Sequence, residues 1–210
     1  MLPLPDITRE LSAVTYIKEF KDAVIRTKNW KLGNHTVNEN PFAIDQTVLN
    51  AVEETGHIPF KDRAGKAMSV NFGMYHMLTT KFPIPNAIIT MGNVSVNDEM
   101  LLPVTPGHFK NMLKNESGEE DMGQYHLWTT LPGGMILDHV IMSSLSHDGI
   151  IEVDDMIPSE RFLYSHGDSL PHGLQYHPMV VGLEFFVSSG TIDREAMEYL
   201  MGDKFPKQYT

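Results

Sequence analysis

The chain of 210 residues contains no cysteine. This absence excludes disulfide bonds, metal sites built on thiolates and catalysis by a thiol nucleophile. Long apolar runs are also missing, since no stretch approaches the roughly 18 apolar residues that a membrane helix needs. The first residues, MLPLPD, lack the basic segment and apolar run of a secretory signal. The absence of cysteine leaves the compartment open, but the lack of a membrane helix and of a secretory signal predicts a soluble, cytoplasmic protein with no membrane contact.

Positive charge is scarce as well. The chain has 16 lysines and arginines against 27 aspartates and glutamates, for a net charge of −11. Nucleic acids bind basic patches, so we expect no nucleic-acid partner. The glycine-rich loops that hold nucleotide phosphates, GxGxxG and GxxxxGK[ST], are absent. We therefore expect no cofactor, and a small molecule or a peptide as substrate.

The pattern of apolar residues and breakers predicts helices in the first part of the chain and strands later. Helices are predicted for residues 6–29, 44–54 and 66–81, for a short segment after Thr105, and for residues 193–201. Strands are predicted for residues 87–92, 94–96 and 179–187, whereas residues 148–174 show no clean period. This order favours an α+β fold. The length suits one domain, with a helical arm over about residues 1–60 and a core over about 61–210.

The segment from 124 to 138, QYHLWTTLPGGMILD, carries the most chemical information. His126 stands at the start of one strand-like run, Asp138 at the end of the next, and a Pro-Gly-Gly turn separates them. Antiparallel strands joined by such a turn bring their distant ends side by side. We therefore expect a hydrogen bond between His126 and Asp138, which are the base and the orienting acid of a catalytic triad.

This hairpin and the segments before it resemble the papain-like and transglutaminase-like superfamily. The resemblance rests on the histidine strand QYHLW, on the spacing from His126 to Asp138, and on the segment FPIPNAIITMG at residues 82–92, and it covers about residues 62–141. It implies a helix packed on an antiparallel sheet, and acyl transfer or the hydrolysis of an amide or ester. In that family a cysteine begins the helix after a glycine, but the matching positions 65–69 here read GKAMS.

Among these helix-start positions, only Ser69 could attack a carbonyl carbon, so the resemblance implies a triad of Ser69, His126 and Asp138. We expect backbone N–H groups at the helix start to bind the oxyanion, with help from Asn71 or Gln124, and Trp128 to contact the ligand. Three interpretations stay open. The chain is an active hydrolase or acyltransferase that uses Ser69, or a pseudoenzyme that binds without catalysis, or a protein whose cysteine was exchanged by mutagenesis.

A second group of histidines suggests a weaker alternative. His166, His172 and His177 lie within twelve residues, and imidazole with nearby carboxylates could bind zinc, nickel or iron in a metal-dependent enzyme. Their spacings of six and five residues differ from the usual HxH and HExxH patterns. We therefore predict no metal ligands here.

Overall fold

The computed structural model describes residues 15–46, 48–49, 58–82, 84–118, 120–202 and 205. This part of the chain contains six α-helices: α1 (Tyr16–Asn29), α2 (Ala67–Thr80), α3 (Pro106–Asn115), α4 (Ile141–His147), α5 (Glu184–Ser188) and α6 (Arg194–Met201). It also contains six strands: β1 (Ile88–Val96), β2 (Glu99–Met100), β3 (His126–Leu131), β4 (Met135–Asp138), β5 (Leu163–His166) and β6 (Leu174–Val181). The predicted α+β class is confirmed. Within the described ranges, no helix has the length and apolar character to cross a membrane.

All six strands form one antiparallel sheet around β1. The strand order is β2-β1-β3-β4-β5, and β6 also pairs with β1. Residues Pro132–Gly134 form the turn between β3 and β4, and both of its glycines have positive φ, 70° and 74°. This conformation suits glycine because it has no Cβ. The predicted hairpin is therefore confirmed, and its register brings the start of β3 close to the end of β4.

Helices cover both faces of the sheet, because the strand side chains alternate between them. On one face, Trp128 and Tyr176 pack with Tyr16 and Phe20 of α1. On the other face, one apolar cluster joins the sheet to α3, α5 and α6, and a second joins it to α2. The N-terminus of α2 lies against the end of the β3–β4 hairpin, where the candidate site lies.

Most predicted helices that fall on described residues are confirmed. The helices at 66–81 and 193–201 correspond to α2 and α6, and the segments 87–92 and 94–96, predicted to form one strand or two, form the single strand β1. The Thr105 side chain accepts a hydrogen bond from the His108 N–H at the start of α3, as a capping residue does. The first predicted helix is present from Tyr16 onward, while residues 6–14 and most of the predicted helix at 44–54 lie outside the described residues.

Two predictions in the C-terminal part are wrong. The predicted strand at 179–187 is instead the end of β6, which finishes at Val181, followed by α5 from Glu184. Gly182, at a φ of 90°, makes the turn between them. The stretch predicted to be irregular contains β5, which pairs with β4 at the edge of the sheet. The four residues of β5 are too few to display an alternating pattern.

Candidate functional site

The β3–β4 hairpin places His126 and Asp138 in direct contact. The Nε2 atom of His126 lies 2.5 Å from Oδ2 of Asp138 and donates a hydrogen bond to it. Asp138 is fully buried, and His126 is nearly so. The contact that the turn and the strand pattern predict is therefore present, while the catalytic roles of the two residues remain predictions. Since Asp138 occupies Nε2, Nδ1 is the ring nitrogen left for a ligand.

Asp138 accepts five hydrogen bonds, which keep its carboxylate charged in the interior. The donors are His126 Nε2 and the Tyr176 hydroxyl (2.7 Å) at Oδ2, and Asn71 Nδ2 (2.9 Å) and the N–H groups of Val140 (2.8 Å) and Ile141 (3.1 Å) at Oδ1. Burial alone would raise the pKa of Asp138, but the charge of His126 and these hydrogen bonds outweigh it and lower the pKa to about 2. The carboxylate can therefore hold the imidazole in one orientation.

Asn71 ties α2 to the hairpin. Besides Asp138, its Nδ2 donates to the Leu127 carbonyl at 2.5 Å, and its Oδ1 accepts from the His139 N–H at 2.8 Å. The side chain is only 2% exposed. Through these bonds Asn71 positions Asp138, while its predicted role in binding an oxyanion remains a prediction.

Tyr176 is a member of the site that sequence reasoning missed. It reaches Asp138 from β6, and burial beside that carboxylate raises the pKa of its hydroxyl well above the ordinary value. The Tyr176 ring lies 4.9 Å from the ring of Trp128, which stacks near His126 at 6.2 Å. Tyr176 lies outside the predicted strand, which begins at 179, after the observed start of β6 at Leu174.

Two side chains expected to contact a ligand lie elsewhere. Trp128 is completely buried, and its indole N–H donates to the Tyr16 hydroxyl at 2.8 Å. Gln124 donates to Oδ1 of Asp121 at 2.6 Å, in the loop before β3. Neither side chain lines the cleft at His126, and their predicted roles in ligand binding remain predictions. The ring of Trp128 instead stacks with the ring of His126, with 6.2 Å between their centroids.

A cleft of about 900 Å³ opens onto His126. Its walls come from the segment before α2, the start of α2, the middle of β1, residues 101–102, 122–123 and 125, and α4 with its flanking residues. The lining residues include Lys61, Asp62, Lys66, Ala67, Met68, Ser69, Val94, Leu101, Leu102, Met122, Tyr125, Val140, Ile141 and Asp148. No side chain caps the N-terminus of α2. Its first N–H groups therefore lack an acceptor from a capping residue, and the helix dipole gives this wall of the cleft a partial positive charge.

The geometry of α2 separates Ala67 from Ser69. Asn71 marks the helix face that contacts Asp138, and residues three and four positions earlier, Met68 and Ala67, share that face. Ser69 lies two positions before Asn71, which corresponds to about 200° around the helix. Its exposed hydroxyl donates to the Lys66 carbonyl at 3.3 Å. Ala67, rather than Ser69, therefore lies on the side of the helix that faces the His126–Asp138 pair.

The histidines of the predicted alternative metal site have separate partners. His166 lies 3.9 Å from Asp168, while His177 contacts Ser95 at 3.0 Å and Glu19 at 3.3 Å. In the part of the chain that the structure describes, no three His, Asp or Glu side chains are grouped closely enough to hold a metal ion. The structure gives no support to the metal-dependent alternative.

No protein-family model matches the chain, and comparisons with curated proteins and with solved structures give no match either. The fold and the site thus define the protein as an α+β protein with helices packed on an antiparallel sheet and a buried His–Asp pair at an open cleft. Its resemblance to the papain-like and transglutaminase-like superfamily remains a prediction carried by the short segments described above.

Proposed function

We propose that this protein binds an acyl compound, meaning a carboxylic acid, amide or ester, in the cleft at His126, and that it does so without covalent catalysis on a core of the papain-like or transglutaminase-like kind. The observation that carries the proposal is the position of Ala67. Ala67 lines the cleft, and its spacing of four residues from Asn71, which contacts Asp138, puts it on the same helix face. Its side chain is a methyl group, where a catalytic helix of this kind would carry a nucleophile.

The remaining groups suit an acyl ligand. Asp138 fixes the ring through Nε2, so His126 protonated at both nitrogens can donate one directed hydrogen bond from Nδ1 to an oxygen of the ligand. The N–H groups at the start of α2 can bind a carbonyl or carboxylate oxygen, since the helix dipole favours negative charge there. With alanine at position 67 no covalent intermediate forms, and the same groups serve for recognition.

The absence of cysteine permits a direct test. In an Ala67→Cys variant the new thiol is the only one in the protein, so its reaction with iodoacetamide can be followed without interference. A thiol at a helix N-terminus beside a histidine has a pKa well below its usual value of about 8.5. We expect its alkylation rate at pH 6 to exceed that of a Ser69→Cys control by about tenfold or more, and to fall to the control level when His126→Gln is added.

The same variants report on the acyl site itself. With p-nitrophenyl acetate, the thiolate of the Ala67→Cys variant should attack the ester carbon, form a thioester and release one equivalent of p-nitrophenolate as the C–O bond breaks. The Ser69→Cys variant should release it no faster than a free thiol does. Equal reactivity of the two variants in both assays would contradict the proposal, because it would mean that position 67 does not face His126.

One observation favours a second candidate, a hydrolase that uses Ser69. Ser69 also lines the cleft, and rotation of its side chain would free its hydroxyl from the Lys66 carbonyl. This candidate predicts that the natural protein reacts with a fluorophosphonate probe and that Ser69→Ala abolishes the labelling. It also predicts that Ser69→Cys, not Ala67→Cys, carries the thiol of low pKa, so the two candidates give opposite results in one experiment.

A further inference from the structure

The lining of the cleft has two parts of different character. Apolar side chains from β1, from the segment after β2 and from the segment before β3 form one part: Val94, Leu101, Leu102, Met122 and Tyr125. Polar and charged groups at the start of α2 and around His126 form the other. Ligand sites commonly combine a mainly apolar wall with a few placed polar groups, in volumes of about 300–1,000 Å³. This cleft has both properties.

The charge of the lining differs from that of the whole chain. The chain as a whole carries a net charge of −11, yet the cleft has two lysines, Lys61 and Lys66, against two aspartates, Asp62 and Asp148. The N-terminus of α2 adds partial positive charge on the same side as the lysines. An anionic head group therefore meets less repulsion here than over most of the surface.

The backbone of the apolar wall is fixed by hydrogen bonds, whereas some of the side chains on its surface are flexible. Asn93 anchors the segment after β2, because its Oδ1 accepts from the Leu102 N–H at 3.1 Å and its Nδ2 donates to the Leu102 carbonyl. Met68 and Met122 also line the cleft, and their unbranched side chains adjust to ligands of different shape. A fixed backbone with flexible apolar side chains can accommodate an alkyl chain.

We propose that the ligand of this cleft is a carboxylate, or its acyl derivative, that carries an unbranched alkyl chain, with the head group at the start of α2 and His126 and the chain along Leu101, Leu102 and Met122. This inference rests on the proposed function and names the ligand class for the same site.

Calorimetric titration of the natural protein with acetate, butanoate, hexanoate and octanoate tests the inference. Each methylene buried against the wall should raise the affinity by about fourfold, until the chain extends beyond the cleft. The alkylamine and the alcohol of the same chain length should each bind at least about tenfold more weakly than the carboxylate, because the N-terminus of α2 favours negative charge.

Variants of two leucines with similar exposure test where the alkyl chain of the ligand binds. Leu101 lines the cleft and is 38% exposed, whereas Leu200 on α6 is 42% exposed and does not line it. Leu101→Asn should reduce octanoate affinity several-fold and leave acetate binding unchanged. Leu200→Asn should change neither. For the head group, Lys66→Gln should weaken all carboxylates, while Lys110→Gln on α3 should weaken none.

Several outcomes would overturn the inference. An affinity that does not depend on chain length would show that the ligand needs no alkyl chain. Equal affinities for the amine and the carboxylate would show that it needs no anionic head group. No binding of any of these ligands at millimolar concentration would refute both parts. The single-cysteine experiment uses no long chain, so a reactive thiol in the Ala67→Cys variant with no chain-length dependence would refute this inference and leave the proposed function standing.

Discussion

At the scale of single residues, the site rests on Asn71, whose side chain makes three buried hydrogen bonds. It donates to Leu127 and Asp138 and accepts from the His139 N–H, all in the interior. A buried polar group that loses its hydrogen bond costs about 1–3 kcal/mol. The Asn71→Ala substitution removes three buried hydrogen bonds at once. We expect this variant to lower the free energy of unfolding by about 3 kcal/mol, measured by urea denaturation. Ser69→Ala, in the same helix but exposed, should change it by less than about 0.5 kcal/mol; equal effects would contradict this account.

Asp138 makes the stability of the protein sensitive to acid. Its pKa is about 2 in the folded state and about 3.9 in an unfolded chain. Because the folded pKa is the lower one, the stabilisation is fully present above about pH 4 and is lost as the pH falls towards 2, with a magnitude on the order of 2–3 kcal/mol. The difference in unfolding free energy between the natural protein and Asp138→Asn should therefore shrink between about pH 4.5 and 2. A difference that stays constant over this range would contradict the lowered pKa.

The contact of His126 with Asp138 could be predicted from the sequence because it is local. A turn signal and two alternating runs fix which strand ends meet, and no other part of the chain enters the argument. Asn71 and Tyr176 reach the same carboxylate from residues 67 and 38 positions away. Nothing in one sequence specifies which residue of a helix or a distant strand arrives there, since that depends on how the elements pack.

At the scale of elements, amphipathic helices are predictable and fully buried segments are not. In α1, buried and exposed residues alternate at helical spacing, so its period is visible in the sequence. Around Gly182 the chain is apolar apart from Glu184, and Val180, Val181, Phe185 and Phe186 are completely buried. With one charged residue among them, neither the strand period nor the helical period shows, and the sequence predicts one strand where β6 ends and α5 begins.

The register shift in the β1–β6 pairing lies at Gly92, where only glycine fits without a clash. At Gly92, beside the register shift, a Cβ atom would lie 2.1 Å from the His177 carbonyl oxygen and 3.0 Å from Trp128. Both neighbours are held by the sheet and its core, so Gly92→Ala should lower the free energy of unfolding by about 3 kcal/mol. A Cβ atom on Gly73 in α2 would have no atom outside its own helix backbone within 4 Å, and Gly73→Ala should stabilise the protein by about 0.5–1 kcal/mol. Chemical denaturation of both variants checks the opposite signs.

At the scale of the whole molecule, α1 is an integral part of the packing, although the sequence suggests an arm before the core. Arg26 donates to the Met179 carbonyl at 2.7 Å and Thr27 accepts from the Val181 N–H at 3.0 Å, so α1 satisfies backbone groups of β6. Such groups on a strand edge otherwise attract other chains. Asp168 accepts from the Tyr16 N–H at the start of the helix. Packing and hydrogen bonds therefore join α1 to the sheet along its length.

This attachment predicts that α1 unfolds only together with the sheet. In native-state hydrogen exchange, amides in the middle of α1 should exchange with the same opening free energy as those of β1 and β3, because one apolar cluster contains side chains from α1, β1 and β3. Tyr16→Phe removes the hydroxyl that contacts Thr130 and accepts from Trp128. It should lower the opening free energy of all three elements equally, by about 1–3 kcal/mol. Exchange from α1 at a clearly lower opening free energy would instead mean that it detaches by itself, which would leave the edge of β6 open while the His126–Asp138 pair stays folded.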